Sequence, residues 1–145
     1  MKRVKIHHPD AKEIFINAIH DNQVIAYPTD TIYGLGTSMN NDEGIERINL
    51  IKMREQPMSI ALGSFSVIKN HIIANANEMF EIKEILKDGS TCIAPYTPGS
   101  LNDKIANDGK IGFRIPNHEY LKAVLNEYQQ PITTVSYTHL RAHET

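Results

Sequence analysis

The residues of this sequence that could do chemistry are one loop rich in hydroxyl groups and four cations at separate positions. The loop is Thr-Asp-Thr at residues 29–31, and the cations are Lys52, Arg54, Lys110 and Arg114. Fixed cations and hydroxyl donors are the groups that bind phosphate and carboxylate in proteins. If the fold brings them together, they predict a local cationic pocket for a small phosphorylated ligand.

Each of these residues also has an ordinary structural explanation when it is taken alone. Threonines in a turn satisfy backbone amides, and cations near a helix C-terminus interact favourably with the helix dipole. Arg114 would then be an exposed strand arginine. The order of the residues along the chain, taken together, favours function.

Strands and helices must position these residues. Val24–Tyr27 is a short apolar run typical of a buried strand, and Pro28 is expected to end it. Asp42 is a candidate N-cap for a helix that leads to the first two cations and whose apolar positions are Ile45, Ile48 and Ile51. Lys110–Pro116 alternates polar and apolar residues as a strand does, which places Lys110 and Arg114 on one face. Asn117 is predicted to cap the next helix. This alternation of strands and helices predicts an α/β fold.

Size and composition fit one ordinary domain. The chain has 145 residues, of which 41% are hydrophobic and 22% charged, and these values argue against disorder. No apolar run approaches the ~20 residues of a membrane span, and the N-terminus lacks the apolar centre of a signal peptide. A cytoplasmic protein is expected.

Several other chemistries are disfavoured. Cys92 lies in an apolar run and is predicted to be a buried structural thiol. The histidines lack the spacing of a zinc site, so no metal ligand set is predicted. The net charge of −2 is not that of a general nucleic-acid binder. A P-loop nucleotide site is excluded because no Gly-x-x-x-x-Gly-Lys-Ser/Thr segment is present.

One block of ten residues is highly specific. Residues 27–36 read Tyr-Pro-Thr-Asp-Thr-Ile-Tyr-Gly-Leu-Gly, and Lys-x-Arg follows about twenty residues later. This order resembles the signature of the YrdC-like family, the threonylcarbamoyl-AMP synthases. Residues 114–118 look like the family's Arg-Ile-Pro-x-His motif. The resemblance extends from Gln23 to Thr134 and implies a twisted open mixed β-sheet flanked by helices, with a concave cationic pocket.

The resemblance also implies a reaction and a set of roles. L-Threonine, bicarbonate or CO₂, and ATP would give threonylcarbamoyladenylate and pyrophosphate, with Mg²⁺ carried on the phosphates. The product would pass to a tRNA threonylcarbamoyl transferase complex. Thr31 and Arg114 would bind threonine, and Lys52 and Arg54 would be catalytic. The nucleotide would be bound by Lys52, Arg54, Gln56, Lys110 and Ser136.

The threonine side of the pocket departs from the family pattern. The loop after Arg54 is about two residues shorter than usual. Gln56 stands in for the usual asparagine, and Ala61 occupies the place of a histidine. A paralogue that uses another amino acid is therefore a second hypothesis. A third is an RNA-binding module of the same fold without adenylation activity, and a purely structural scaffold is the weakest interpretation.

Residues 135–145 are expected to be a non-native tail. Their sequence is the one obtained by translating one reading frame of a widely used transposon-end sequencing adapter, and every codon of that frame agrees. In the family, the preceding strand continues into a Ser-x-Asn motif, whereas this chain has Ser136 followed by Tyr137 and Thr138. The expected organisation is one YrdC-like domain at residues 1–134, incomplete at its C-terminus. Resequencing the source locus tests this expectation, because a genome that encodes the same tail would contradict it.

Overall fold

The computed structural model describes residues 3–29, 33–51 and 58–136, which form one sheet with helices on both faces. The strands are β1 (Ile25–Pro28), β2 (Tyr33–Gly36), β3 (Ser59–Ala61), β4 (Cys92–Pro95), β5 (Lys110–Arg114) and β6 (Ile132–Ser136). The helices are α1 (Ala11–His20), α2 (Asp42–Ile51), α3 (Phe65–Ile68), α4 (Ala76–Leu86) and α5 (Glu119–Tyr128). None of the helices in this part of the chain has the length and apolar character needed to cross a membrane.

The sheet is mixed and open, as the sequence predicts. Its strand order is β1-β2-β6-β3-β5-β4. Only β3 and β5 pair in parallel among these neighbours, and the other pairs are antiparallel. The last strand in sequence, β6, therefore lies inside the sheet and joins the β1–β2 hairpin to the other half. Val135 and Ser136, the first two residues of the expected tail, belong to β6 and pair with Leu35 and Gly34.

Two apolar clusters cover opposite faces of the sheet. Helices α1 and α5 pack on one face, where Phe15, Leu121 and Leu125 contact the strand residues Tyr27 and Ala61. Helices α2, α3 and α4 pack on the other, in a larger cluster that includes Ile60 and Phe113. Successive residues of a strand point to opposite faces, which is why Ile60 and Ala61 belong to different clusters.

The helix caps correct two predictions by one residue each. Asn41, not Asp42, caps α2, because its side-chain oxygen accepts the backbone N–H of Gly44 at 3.1 Å. His118, not Asn117, caps α5, because its Nδ1 accepts the backbone N–H of Leu121 at 3.3 Å. Asn41 is as good a cap by type as Asp42, whereas His118 is not a preferred cap residue and acts here through its ring nitrogen. Pro28 ends β1, as predicted, and is its last paired residue.

Replacing Asn75 with alanine should lower the free energy of unfolding by about 1 kcal/mol. Asn75 and Glu78 form a reciprocal capping box at the start of α4, with N···O distances of 2.9 and 3.0 Å. Asn77, exposed near the start of the same helix, is the matched control, since alanine there should be neutral or slightly stabilising. Urea denaturation of both variants measures the difference, and equal stabilities would contradict the role of the cap.

Candidate active site

A polar surface adjoins the part of the sheet that α1 and α5 cover. In β5, Ile111 and Phe113 are buried, whereas Lys110 is exposed and Gly112 and Arg114 are half-buried. This confirms the predicted alternation. Ser59 of β3 is the register partner of both Gly112 and Thr134. We call Ser59, Gly112, Arg114 and Thr134 the polar face; all four are half-buried.

The centre of the polar face has a bare backbone because Gly112 lacks a side chain. A Cβ placed on Gly112 would lie 2.6 Å from the Oγ of Ser59 and 3.0 Å from the Cγ2 of Thr91. Side chains from both neighbouring strand segments thus lean over this glycine. The space that a side chain at position 112 would occupy is therefore filled by Ser59 and by the methyl group of Thr91.

Arg114 is anchored at the rim of the polar face. Its Nε–H donates a hydrogen bond to the carbonyl oxygen of Gly89 at 2.9 Å. Its positive charge also acts on the hydroxyl of Tyr27, whose pKa it lowers. The guanidinium is therefore held by the turn at Gly89, and its charge acts on Tyr27 through space.

Tyr27 forms the buried base of this region. Burial raises the pKa of its hydroxyl to about 12, and a hydrogen bond with Thr134 and the charge of Arg114 only partly oppose this effect. Its ring packs so closely on Gly34 that an added Cβ there would lie 2.8 Å from the ring and 3.3 Å from the Cγ2 of Thr29. The start of the hydroxyl-rich loop thus lies beside Gly34 and the ring of Tyr27, and the charge of Arg114 acts on the hydroxyl of the same tyrosine.

The alkaline pH dependence of stability should report on Tyr27. Its folded-state pKa of about 12 exceeds the ordinary value of 10.0, so the folded state favours the protonated phenol. The contribution of this phenol to the free energy of unfolding is therefore fully present below pH 10. It is lost as the pH rises through 12, and the total loss is roughly 2.7 kcal/mol for a two-unit shift. Urea denaturation of the wild type and Tyr27→Phe between pH 8 and 11.5 measures this, and the phenylalanine variant should lose less stability. Parallel losses in both proteins would contradict the assignment.

The structure places only some of the predicted site residues. The predicted positions Thr31, Lys52, Arg54 and Gln56 lie outside the described residues. Only the backbone of Ser136 is described. It lies in β6 and pairs with Gly34 of β2.

Two of the predicted cations can be compared directly in β5. Arg114 is half-buried at the end of the strand, whereas Lys110 is exposed at its start. The two Cα atoms lie about 13 Å apart along the strand, although both residues are on the same face. The two residues therefore share a face of β5, one at each end of the strand.

Sequence reasoning did not identify Ser59 and Thr134 of the polar face, or Gly89 and Thr91 beside it. The signal that could have identified Ser59 is its spacing of two residues from Ala61, which places both on one face. No local signal indicates that Gly89 contacts Arg114, because β4 and β5 must pair first.

Cys92 and His20, whose side chains could also do chemistry, have surroundings typical of structural residues. Cys92 is buried, as predicted, and burial raises the pKa of its thiol. The ring of His20 packs edge-on against Tyr128 with centroids 5.3 Å apart. Among the residues that the structure describes, no group of three or more His, Cys, Asp or Glu side chains could hold a metal ion.

Comparison with known proteins identifies a family. The model of the Sua5/YciO/YrdC family, described as "Telomere recombination", matches residues 17–140. A protein of Vibrio vulnificus (strain YJ016) named threonylcarbamoyl-AMP synthase is 26% identical over 129 residues, covering 83% of this chain and 68% of the relative. A protein of Bacillus subtilis (strain 168) with the same name is 27% identical over 123 residues, covering 81% of this chain and 35% of the relative.

Solved structures share the fold. The Sua5 protein of P. abyssi, crystallised with L-threonine, has a TM-score of 0.76 and 21% identity and matches 93% of this chain. The E. coli YciO structure has a TM-score of 0.77 and 20% identity and matches 86% of this chain. The present chain spans 40% of the Sua5 chain and 62% of the YciO chain. At these identities the likeness concerns the fold.

Proposed function

The chain belongs to the Sua5/YciO/YrdC family, and we propose that it carries the site of a threonylcarbamoyl-AMP synthase. The reaction joins L-threonine, bicarbonate or CO₂, and ATP into L-threonylcarbamoyladenylate and releases pyrophosphate. This makes the protein a nucleotidyltransferase. Curated relatives with this name, which match more than four fifths of the chain, support the proposal.

One geometric observation carries the proposal. Arg114 lies on the polar face and its positive charge acts on Tyr27 through space, while Thr29, which begins the hydroxyl-rich loop, lies close to Gly34 beside the ring of Tyr27. An amino acid presents a carboxylate at one end and, in threonine, a hydroxyl close by. A guanidinium opposite a hydroxyl-rich loop offers a complementary partner for each group.

The residues would divide the work between the two substrates. Arg114 pairs with the carboxylate of threonine, and Thr31 binds threonine from the hydroxyl-rich loop. As the carbamate oxygen attacks the α-phosphorus of ATP, negative charge gathers on the phosphate oxygens and on the departing pyrophosphate. Lys52 supplies a compact charge and Arg54 a bidentate fork to stabilise it. The remaining nucleotide contacts come from Gln56, Lys110 and Ser136.

The proposal also includes a metal ion and a partner that uses the product. Mg²⁺ enters bound to the phosphates of ATP, where it neutralises charge and requires few protein ligands. The adenylate product is consumed by a transferase complex that modifies tRNA, so the reaction takes place in the cytoplasm. The relatives' name supports the adenylate product.

Pyrophosphate release tests the proposed function. The protein expressed from the resequenced source locus is mixed with MgATP and bicarbonate, with and without L-threonine. We expect release only when all substrates are present, and little release with L-serine or L-valine. Salt-sensitive RNA binding without any release would instead favour the RNA-binding module. Release with another amino acid in preference to threonine would favour the paralogue.

A further inference from the structure

The turn that holds Arg114 is itself built around one carboxylate. The Oδ1 of Asp88 accepts the Oγ–H of Ser90 at 2.7 Å and the backbone N–H of Ser90 at 3.3 Å. Between them, Gly89 has a φ of +84°, in the left-handed region that glycine adopts without strain. In this conformation the Gly89 carbonyl accepts the Nε–H of Arg114.

The hydrogen bond from this turn restricts the orientation of the Arg114 side chain, which is otherwise flexible. An arginine has several rotatable bonds, and ordering it for a ligand has an entropic cost. The guanidinium is planar, so a hydrogen bond on Nε restricts the plane in which the two terminal nitrogens lie. Bidentate pairing with a carboxylate requires that plane to be correct. A turn that holds Nε therefore lowers the cost of binding.

We propose that Asp88 is a positioning residue for substrate recognition, acting through Gly89 on the guanidinium of Arg114. The inference rests on the proposed function, in which Arg114 binds the carboxylate of threonine. Asp88 does not itself contact substrate in this proposal. It holds the turn, the turn presents a carbonyl, and the carbonyl orients the arginine.

The first test is steady-state kinetics of Asp88→Ala and Asp88→Asn. The alanine variant should raise the KM for threonine about three- to tenfold, since Arg114 must then be ordered by the substrate. The KM for ATP and kcat should change little. The asparagine side chain keeps an oxygen that can accept both hydrogen bonds from Ser90, so Asp88→Asn should retain the wild-type KM. Asp21→Ala, which removes an exposed carboxylate at the end of α1, should have no effect.

The second test measures the arginine directly and does not need activity. The ¹⁵Nε–¹Hε NMR signal of Arg114, assigned by its absence in Arg114→Lys, should exchange slowly with water in the wild type and in Asp88→Asn. It should exchange faster in Asp88→Ala. Equal exchange rates in all three proteins, or an unchanged KM for threonine in Asp88→Ala, would overturn the positioning role. Failure of the wild type to release pyrophosphate would instead refute the proposed function, and the exchange rates would still test the hydrogen bond.

Discussion

Alanine in place of Lys52 or Arg54 should lower the rate of pyrophosphate release by a factor of about one hundred or more. Charge on the phosphate oxygens grows between the bound substrates and the transition state, so a cation that contacts them lowers the barrier itself. Removing a preorganised group of this kind commonly costs two to three orders of magnitude in kcat, or about 2.7–4 kcal/mol. Initial rates at saturating ATP, threonine and bicarbonate measure the loss.

Helix α2, which precedes Lys52 in the sequence, provides a matched control. Arg47 is exposed on α2, which ends at Ile51, directly before Lys52. Arg47→Ala removes a nearby cation without touching the proposed site, so its rate should remain close to that of the wild type. Near-normal rates in both Lys52→Ala and Arg54→Ala would remove these two residues from the site.

The alternative explanation predicts a different result. Cations near a helix C-terminus contribute roughly 0.3–1 kcal/mol to stability through the helix dipole. If that were their only role, alanine variants would show a small loss of stability and an unchanged rate. A large rate loss with an unchanged melting temperature would therefore distinguish chemistry from capping.

Local patterns predicted the elements well because they depend on neighbouring residues. The alternation at residues 110–114 correctly predicted which side chains of β5 face the core, and Phe113 is fully buried there. The isoleucine spacing correctly predicted α2, in which Ile45 and Ile48 are buried. The caps were missed by one residue because several adjacent residues are good hydrogen-bond acceptors.

Long-range pairing could not be predicted in the same way. Nothing local indicates that β6, the last strand in sequence, lies between β2 and β3 in the sheet. The contact between Arg114 and Gly89 joins residues 25 positions apart and exists only once β4 and β5 have paired in register. The motif indicated that Arg114 matters, but only the fold indicates what orients it.

A second large effect is expected where β2 meets β6. Gly36→Ala should lower the free energy of unfolding by about 3 kcal/mol or more. The added Cβ would lie 2.3 Å from the backbone carbonyl oxygen of Thr133 and 2.9 Å from the Oη of Tyr27. A backbone atom of a central strand cannot rotate away, so the strands must move apart. Urea denaturation followed by circular dichroism measures the loss.

Moving the strands apart would also break a buried polar network. The backbone N–H of Thr37 donates to the Oγ1 of Thr133 at 3.1 Å, and the backbone N–H of Thr133 donates to the carbonyl of Thr37 at 3.0 Å. Both threonines are fully buried, so a separated pair would leave polar groups without water or protein partners. Gly109→Ala is the control, because its Cβ would meet nothing within 4 Å and only its φ of +73° is unfavourable. That strain should cost about 1–2 kcal/mol, so a Gly36→Ala variant as stable as Gly109→Ala would contradict the close contact between β2 and β6.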